Sequence, residues 1–167
     1  MNLYFLRHGI AIEPGTPGYP TDSARPLIPK GERKLADIAK AMEALNLSFD
    51  LILSSPYLRA SQTAEIIANC LKPRNKVEFC EHLTPGGSPK KVIEMLAHLK
   101  PSPDDVLLVG HEPYLSDLIS LLLSGESGLA IVMKKAGFCK LSIGQLCFGR
   151  CATLEWLVTP KLMALMA

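Results

Sequence analysis

Apolar positions along the chain follow two alternating patterns. Leu3-Tyr4-Phe5-Leu6, Leu51-Ile52-Leu53 and Val106-Leu107-Leu108-Val109 are continuous apolar runs with no in–out alternation. Strands covered on both faces of a parallel sheet have this character. A short run at Val77–Phe79 reads as a further strand. Between the runs the spacing changes to three and four. Leu35, Ile38, Ala39, Met42 and Leu45 make one helical stripe, and Leu58, Ala64, Ile67 and Leu71 fit a second more loosely. Ser88 followed by Pro89 predicts a helix start, with Val92, Leu96 and Leu99 continuing its face. Pro113 opens a fourth helix through Leu115, Leu118, Ile119 and Leu122, which Gly125 stops.

Alternation of this kind predicts the α/β class: a three-layer α/β/α sandwich around a mostly parallel central sheet. The tail differs. Leu129–Met133, Phe138–Ile143 and Cys151–Val158 read as strands joined by short turns, which gives the sheet an antiparallel edge. No repeat and no linker divides the chain, so residues 1–167 are expected to form a single domain. Residues 14–29 hold five prolines and two glycines, an irregular loop directly after the first strand.

Composition narrows the function. A chain of 167 residues, 48% hydrophobic and 20% charged, is long enough to bury one core without metal or disulfide staples. Lys plus Arg number 18 against 16 Asp plus Glu, and no basic block of five or more occurs. A nucleic-acid partner is therefore not expected, and any cationic site must be built from a few placed arginines. Five cysteines at 70, 80, 139, 147 and 151 form no CxxC pair. They read as buried thiols in a reducing compartment, not as a disulfide framework or a zinc site. The start Met-Asn-Leu-Tyr-Phe-Leu-Arg-His has no secretory pattern, and Leu118–Leu123 is far too short to span a bilayer. The expectation is a cytoplasmic protein with no membrane partner.

Ligands of open α/β sheets bind beyond the carboxyl ends of the strands. After the first strand come Arg7-His8-Gly9. The second is followed by Ser54-Ser55-Pro56, with Arg59 one turn into the next helix. Val77–Phe79 leads to Glu81 and His82, and the fourth strand to Gly110-His111-Glu112-Pro113. Guanidinium forks match phosphate oxygens, and an imidazole is able to attack phosphorus. A phosphoryl site with an imidazole nucleophile follows from the residues alone.

Other phosphatase chemistries fit poorly. No cysteine is followed six positions on by arginine, no DxDx pair offers an aspartyl nucleophile, and no GxxxxGK[ST] loop is present. HExxH and dense carboxylate clusters are missing too, so no metal or other cofactor is expected. Each candidate has a plain structural reading as well. His8 fits a satisfied strand-end histidine, Arg59 a solvated helix residue, and His111 a cap of the following helix. Glu81 and His82 read first as surface residues, and His98 lies far from any strand end. Ser54 and Ser55 suit either phosphate contact or a turn before Pro56. Arg25 either reaches the site from its loop or pairs with a surface acid.

Three segments carry a family resemblance. Leu6-Arg7-His8-Gly9 resembles the signature of the histidine phosphatase superfamily, whose fold is phosphoglycerate mutase-like. The stretch from Ser55 to Ala64, SPYLRASQTA, resembles its second motif, and Val109-Gly110-His111-Glu112-Pro113 its third. Arg25-Pro26-Leu27, the Leu83-Thr84-Pro85 segment and the short length point to the SixA-like branch. The resemblance implies a metal-independent hydrolase in which His8 becomes phosphorylated while Arg7, Arg59 and His111 hold the phosphoryl oxygens. Gly9 would let the chain turn sharply and set its carbonyl against His8 Nδ1, leaving Nε2 free. Glu81 lies where larger members carry a general acid and is a candidate for that role. Its neighbour His82 departs from the glutamate more usual beside Leu-Thr-Pro, which favours N–P over O–P substrates.

The implied function is hydrolysis of phosphohistidine on a protein, such as a histidine phosphotransfer domain or another phosphocarrier. Two alternatives stand beside it: a small phosphomonoesterase acting on a metabolite, and a phosphoprotein-binding module without turnover.

Overall fold

The first apolar run forms β1 (Asn2–Arg7), in which Leu3, Tyr4, Phe5 and Leu6 are all buried. Tyr4 and Leu6 join the apolar cluster on one face of the sheet, and Leu3 and Phe5 the cluster on the other. The same division holds in β4 (Asp105–Gly110), where Leu107 and Val109 face one cluster and Val106 and Leu108 the second. Unbroken apolar runs thus mark strands with no wet face. The computed structural model describes residues 1–71 and 76–166.

Four strands are parallel: β3 (Val77–Phe79), β2 (Leu51–Ser54), β4 and β1, in that spatial order. Two antiparallel strands extend the β1 side, β5 (Phe138–Ile143) and then β6 (Ala152–Val158). One layer holds α1 (Pro29–Ala44), α2 (Leu58–Leu71) and the short α5 (Pro160–Met163); the other holds α3 (Pro89–His98) and α4 (Tyr114–Ser124). Ser88 caps α3 by accepting from Lys91 N–H, with Pro89 in the first turn. Gly125 ends α4 in the left-handed region at φ 92°. This is the expected three-layer α/β/α sandwich with an antiparallel edge. No helix among the described residues is long and apolar enough to cross a membrane.

Three local expectations need correction. Leu129–Met133 forms no strand: β5 already takes the free edge of β1, and Leu129 and Val132 stay exposed while Met133 is buried. The segment is held instead by single bonds, including Leu129 N–H to Ser120 Oγ. Leu45 leaves the buried stripe because it sits at the C-cap of α1, where it is exposed. The cysteines are not uniformly core: Cys80 and Cys139 are buried, Cys151 is half-buried, and Cys70 and Cys147 are exposed.

Candidate functional site

Strand register brings the three motifs together. Arg7 pairs with Gly110 across β1 and β4, and Ser54 with Val109 across β2 and β4. One residue further, His8 N–H donates to the Gly110 carbonyl at 3.0 Å and Ser55 N–H to the Val109 carbonyl at 3.0 Å. His8, Ser55 and His111 therefore start from adjacent points on one rim. Arg59 enters from the first turn of α2. Arg7, His8, Arg59 and His111 line one pocket of about 350 Å³.

Two contacts fix the chemistry of His8. Its Nδ1 lies 2.8 Å from the Gly9 carbonyl, which only accepts, so Nδ1 carries the proton. Arg59 Nε, which only donates, lies 3.2 Å from His8 Nε2. Nε2 is thus the unprotonated nitrogen, as a nucleophile requires. Burial, with Arg59, Arg7 and Lys135 adding repulsion against the Gly9 bond, takes the His8 pKa down to about 3. His8 is neutral at physiological pH. Gly9 earns its place by close packing, not by a left-handed turn: a Cβ there would meet Leu35 Cδ1 at 2.7 Å.

His111 stands opposite, its ring centroid 5.1 Å from that of His8, with Nε2 2.8 Å from Ser55 Oγ. Burial, then Arg59 and His8, lower its pKa to about 3. Arg7 donates through Nη1 to the Met133 carbonyl at 2.8 Å. Arg7 Nε and His111 Nδ1 are both buried without a hydrogen-bond partner among the described residues. Unpaired buried donors are costly. Two of them beside an imidazole with an unprotonated Nε2 suit a tetrahedral anion. Burial lowers the pKa of Arg7 and of Arg59 from the usual arginine value, yet guanidinium remains charged in proteins.

The second motif also braces the first. Thr63 Oγ1 accepts from Gly9 N–H at 3.1 Å and donates to the Arg59 carbonyl at 2.6 Å, while Gln62 Oε1 accepts from Leu27 N–H at 2.8 Å. Glu81 and His82 open a short 3-10 turn after β3; Glu81 is exposed, and neither residue lines the pocket, whereas Pro85 does. Arg25 does both things expected of it as alternatives, lining the pocket and pairing with Asp22. His98 is exposed and contacts the Glu94 carbonyl within its own helix.

Three pocket carboxylates were given no role from sequence: Glu13, Asp22 and Glu112. Glu13 pairs with Lys135 at 3.2 Å, and Asp22 with Arg25 and Arg59. Among the described residues no cation lies within salt-bridge distance of Glu112, and burial raises its pKa against the pull of Ser116 and Arg7. A carboxylate three residues before Arg25 was the available signal for Asp22; Glu112 had its place beside His111. Among the described residues no cluster of three or more His, Cys, Asp or Glu side chains is placed to hold a metal ion.

Known proteins resemble this arrangement. Residues 3–84 match the family description "Histidine phosphatase superfamily (branch 1)". An uncharacterised Picosynechococcus protein is 40% identical over 146 residues, 86% of either chain. Phosphohistidine phosphatase SixA of Escherichia coli is 30% identical over 128 residues, covering 76% of this chain and 77% of that one. The solved structure of the protein histidine phosphatase SixA complexed with tungstate superposes with a TM-score of 0.84 at 26% identity, over 98% of this chain and 99% of that one. The phosphoglycerate mutase-like fold, the three motifs on one rim and these likenesses agree: the chain belongs to the histidine phosphatase superfamily and is a SixA homologue with a phosphatase fold.

Proposed function

We propose that this protein is a cytoplasmic, single-domain phosphohistidine phosphatase that removes phosphoryl groups from a protein histidine through a phosphorylated His8. In the first step the Arg59 Nε–H passes from His8 Nε2 to a phosphoryl oxygen, and the freed lone pair forms a new N–P bond as the substrate N–P bond breaks. The substrate ring, already protonated on its other nitrogen, takes the bonding pair and leaves as neutral imidazole. Water then attacks the phosphorus of phospho-His8, releasing phosphate and returning the electron pair to Nε2. Arg7, Arg59 and His111 hold the equatorial oxygens, where charge accumulates in transfer. No step needs a metal or other cofactor.

The observation that carries this reading is the pairing of a neutral His8, Nε2 unprotonated, with the two unpartnered buried groups of Arg7 and His111. A phosphohistidine ring protonated on its far nitrogen leaves as neutral imidazole and requires little acid assistance. That suits a pocket whose expected acid, Glu81, stands outside it. A phosphohistidine peptide and a phosphoserine peptide, each assayed with and without a chelator, test the reading. Preferential, chelator-resistant turnover of the phosphohistidine peptide is expected; equal kcat/KM for both substrates would overturn the preference.

Glu112 favours a second reading. A pocket carboxyl with a raised pKa suits proton donation to an alkoxide leaving group, the step a phosphomonoesterase needs. On this reading Glu112→Gln lowers ester turnover while sparing phosphohistidine.

A further inference from the structure

The proline-rich loop after β1 contributes a residue that the phosphatase motifs do not contain. We propose that Asp22 is a positioning residue for phosphoryl transfer, holding Arg59 against His8 and fixing Arg25 in the pocket wall. The proposal rests on the phosphatase reading of the pocket.

Each nitrogen of Arg59 has a partner. Nε donates to His8 Nε2 at 3.2 Å, Nη1 to the Asp22 main-chain carbonyl at 2.6 Å, and Nη2 to Asp22 Oδ2 at 2.8 Å. One loop residue thus grips both terminal nitrogens, and the rigid plane of the guanidinium transmits that grip to the Nε–H facing the nucleophile. The other carboxylate oxygen, Oδ1, accepts from Arg25 Nε at 2.8 Å and Nη2 at 2.5 Å. Arg25 is tied on its far side to the Ile12 carbonyl. The carboxylate is about half exposed, while the side chains of Arg59 and Arg25 are 3% and 11% exposed. Partial burial opposes ionisation of Asp22, but the hydrogen bonds from Arg25 and Arg59 win and keep its carboxyl below the usual range.

Two effects of removing this carboxylate point in opposite directions. Arg59 loses its lock, so transition-state alignment suffers; misplacement of about 1 Å can cost on the order of a hundredfold in rate. The pocket simultaneously loses a negative charge, which favours a bound anion. A residue that merely shaped the loop would weaken both functions together.

The test uses Asp22→Asn and Asp22→Glu in the full-length protein. Three quantities are read: kcat on a phosphohistidine peptide, inhibition by inorganic phosphate, and the NMR signal of the Arg59 Nε–H. For Asp22→Asn the expected result is a kcat about tenfold or more below the parent, unchanged or tighter phosphate inhibition, and a shifted or broadened Arg59 signal. Asp22→Glu recovers part of kcat. A kcat within twofold of the parent, or parallel loss of kcat and phosphate affinity, would overturn the proposal. The NMR signal separates the two layers. An inactive parent whose Arg59 signal still depends on Asp22 defeats the substrate reading alone; an active parent with an indifferent Asp22→Asn defeats this inference alone.

Discussion

Ser55 Oγ lies 2.8 Å from His111 Nε2 and also accepts from Tyr57 N–H at 3.3 Å. With the amide on one acceptor site of the oxygen, a hydroxyl proton given to His111 Nε2 leaves the histidine's own proton on Nδ1. That is the atom without a partner among the described residues. In this arrangement a serine at the end of β2 sets which ring nitrogen of His111 faces the pocket as a donor. Ser55→Ala leaves a buried ring nitrogen unpaired at a cost of about 1–3 kcal/mol. Chemical denaturation is expected to show that loss, and kinetics a lower kcat/KM. An unchanged kcat/KM would contradict this role for Ser55.

Arg7 differs from Arg59 in having an unpartnered Nε. If that N–H meets a phosphoryl oxygen only when substrate is bound, Arg7→Ala lowers kcat by about 10²–10³-fold, the range for losing one preorganised donor. Arg7→Lys does not restore the rate, because an ammonium cannot serve both the Met133 carbonyl and the oxygen with the geometry of the fork. Steady-state kinetics of both variants check this.

Acid sensitivity follows from the two histidines. Each has a folded-state pKa near 3, against 6.5 in the unfolded chain. Between those values the unfolded chain binds more protons, so stability rises with pH across the window. Their contribution is full above about pH 6.5 and is lost as pH falls toward about 3. Thermal melts should show Tm dropping between pH 6.5 and 4, with a smaller drop in His111→Gln. A profile identical to the parent's would contradict burial as the cause.

Glu112 lines the pocket, whereas Glu81 is exposed outside it. Glu81→Gln is expected to leave kcat within about twofold on every substrate, since the side chain is exposed outside the pocket. If Glu112 serves an alkoxide leaving group, Glu112→Gln lowers turnover of a phosphoserine peptide by on the order of 10²-fold, the lower range for a general acid, while phosphohistidine turnover changes little. Parallel assays of the two variants decide which carboxylate serves the leaving group.

Sequence carried the rim of this site well because parallel strands place chemistry at their carboxyl ends, and apolar runs locate those ends to within a residue or two. Arg7, His8 and His111 sit immediately past buried strands, and Arg59 one turn into a helix with a recognisable apolar face. Asp22 escaped for the opposite reason. It belongs to a loop with no period, and its partners are 3 and 37 residues away, with nothing local to announce the second. The same holds for Met133, whose carbonyl holds Arg7 from a segment that looked like a strand. Apolar content there reflects one buried side chain, Met133, while Leu129 and Val132 face solvent. Glu81 stands exposed outside the pocket, because proximity in sequence to a strand end does not fix where a short 3-10 turn sets its residues.

The central claim is a covalent one: phosphorus passes through Nε2 of His8. Rapid acid-free quenching of a reaction with 32P-phosphohistidine peptide, followed by peptide mapping, tests it directly. The account predicts an acid-labile, base-stable label on the peptide containing His8, absent in His8→Ala, whose turnover is abolished. Turnover that persists in His8→Ala, or label on any other residue, would contradict it.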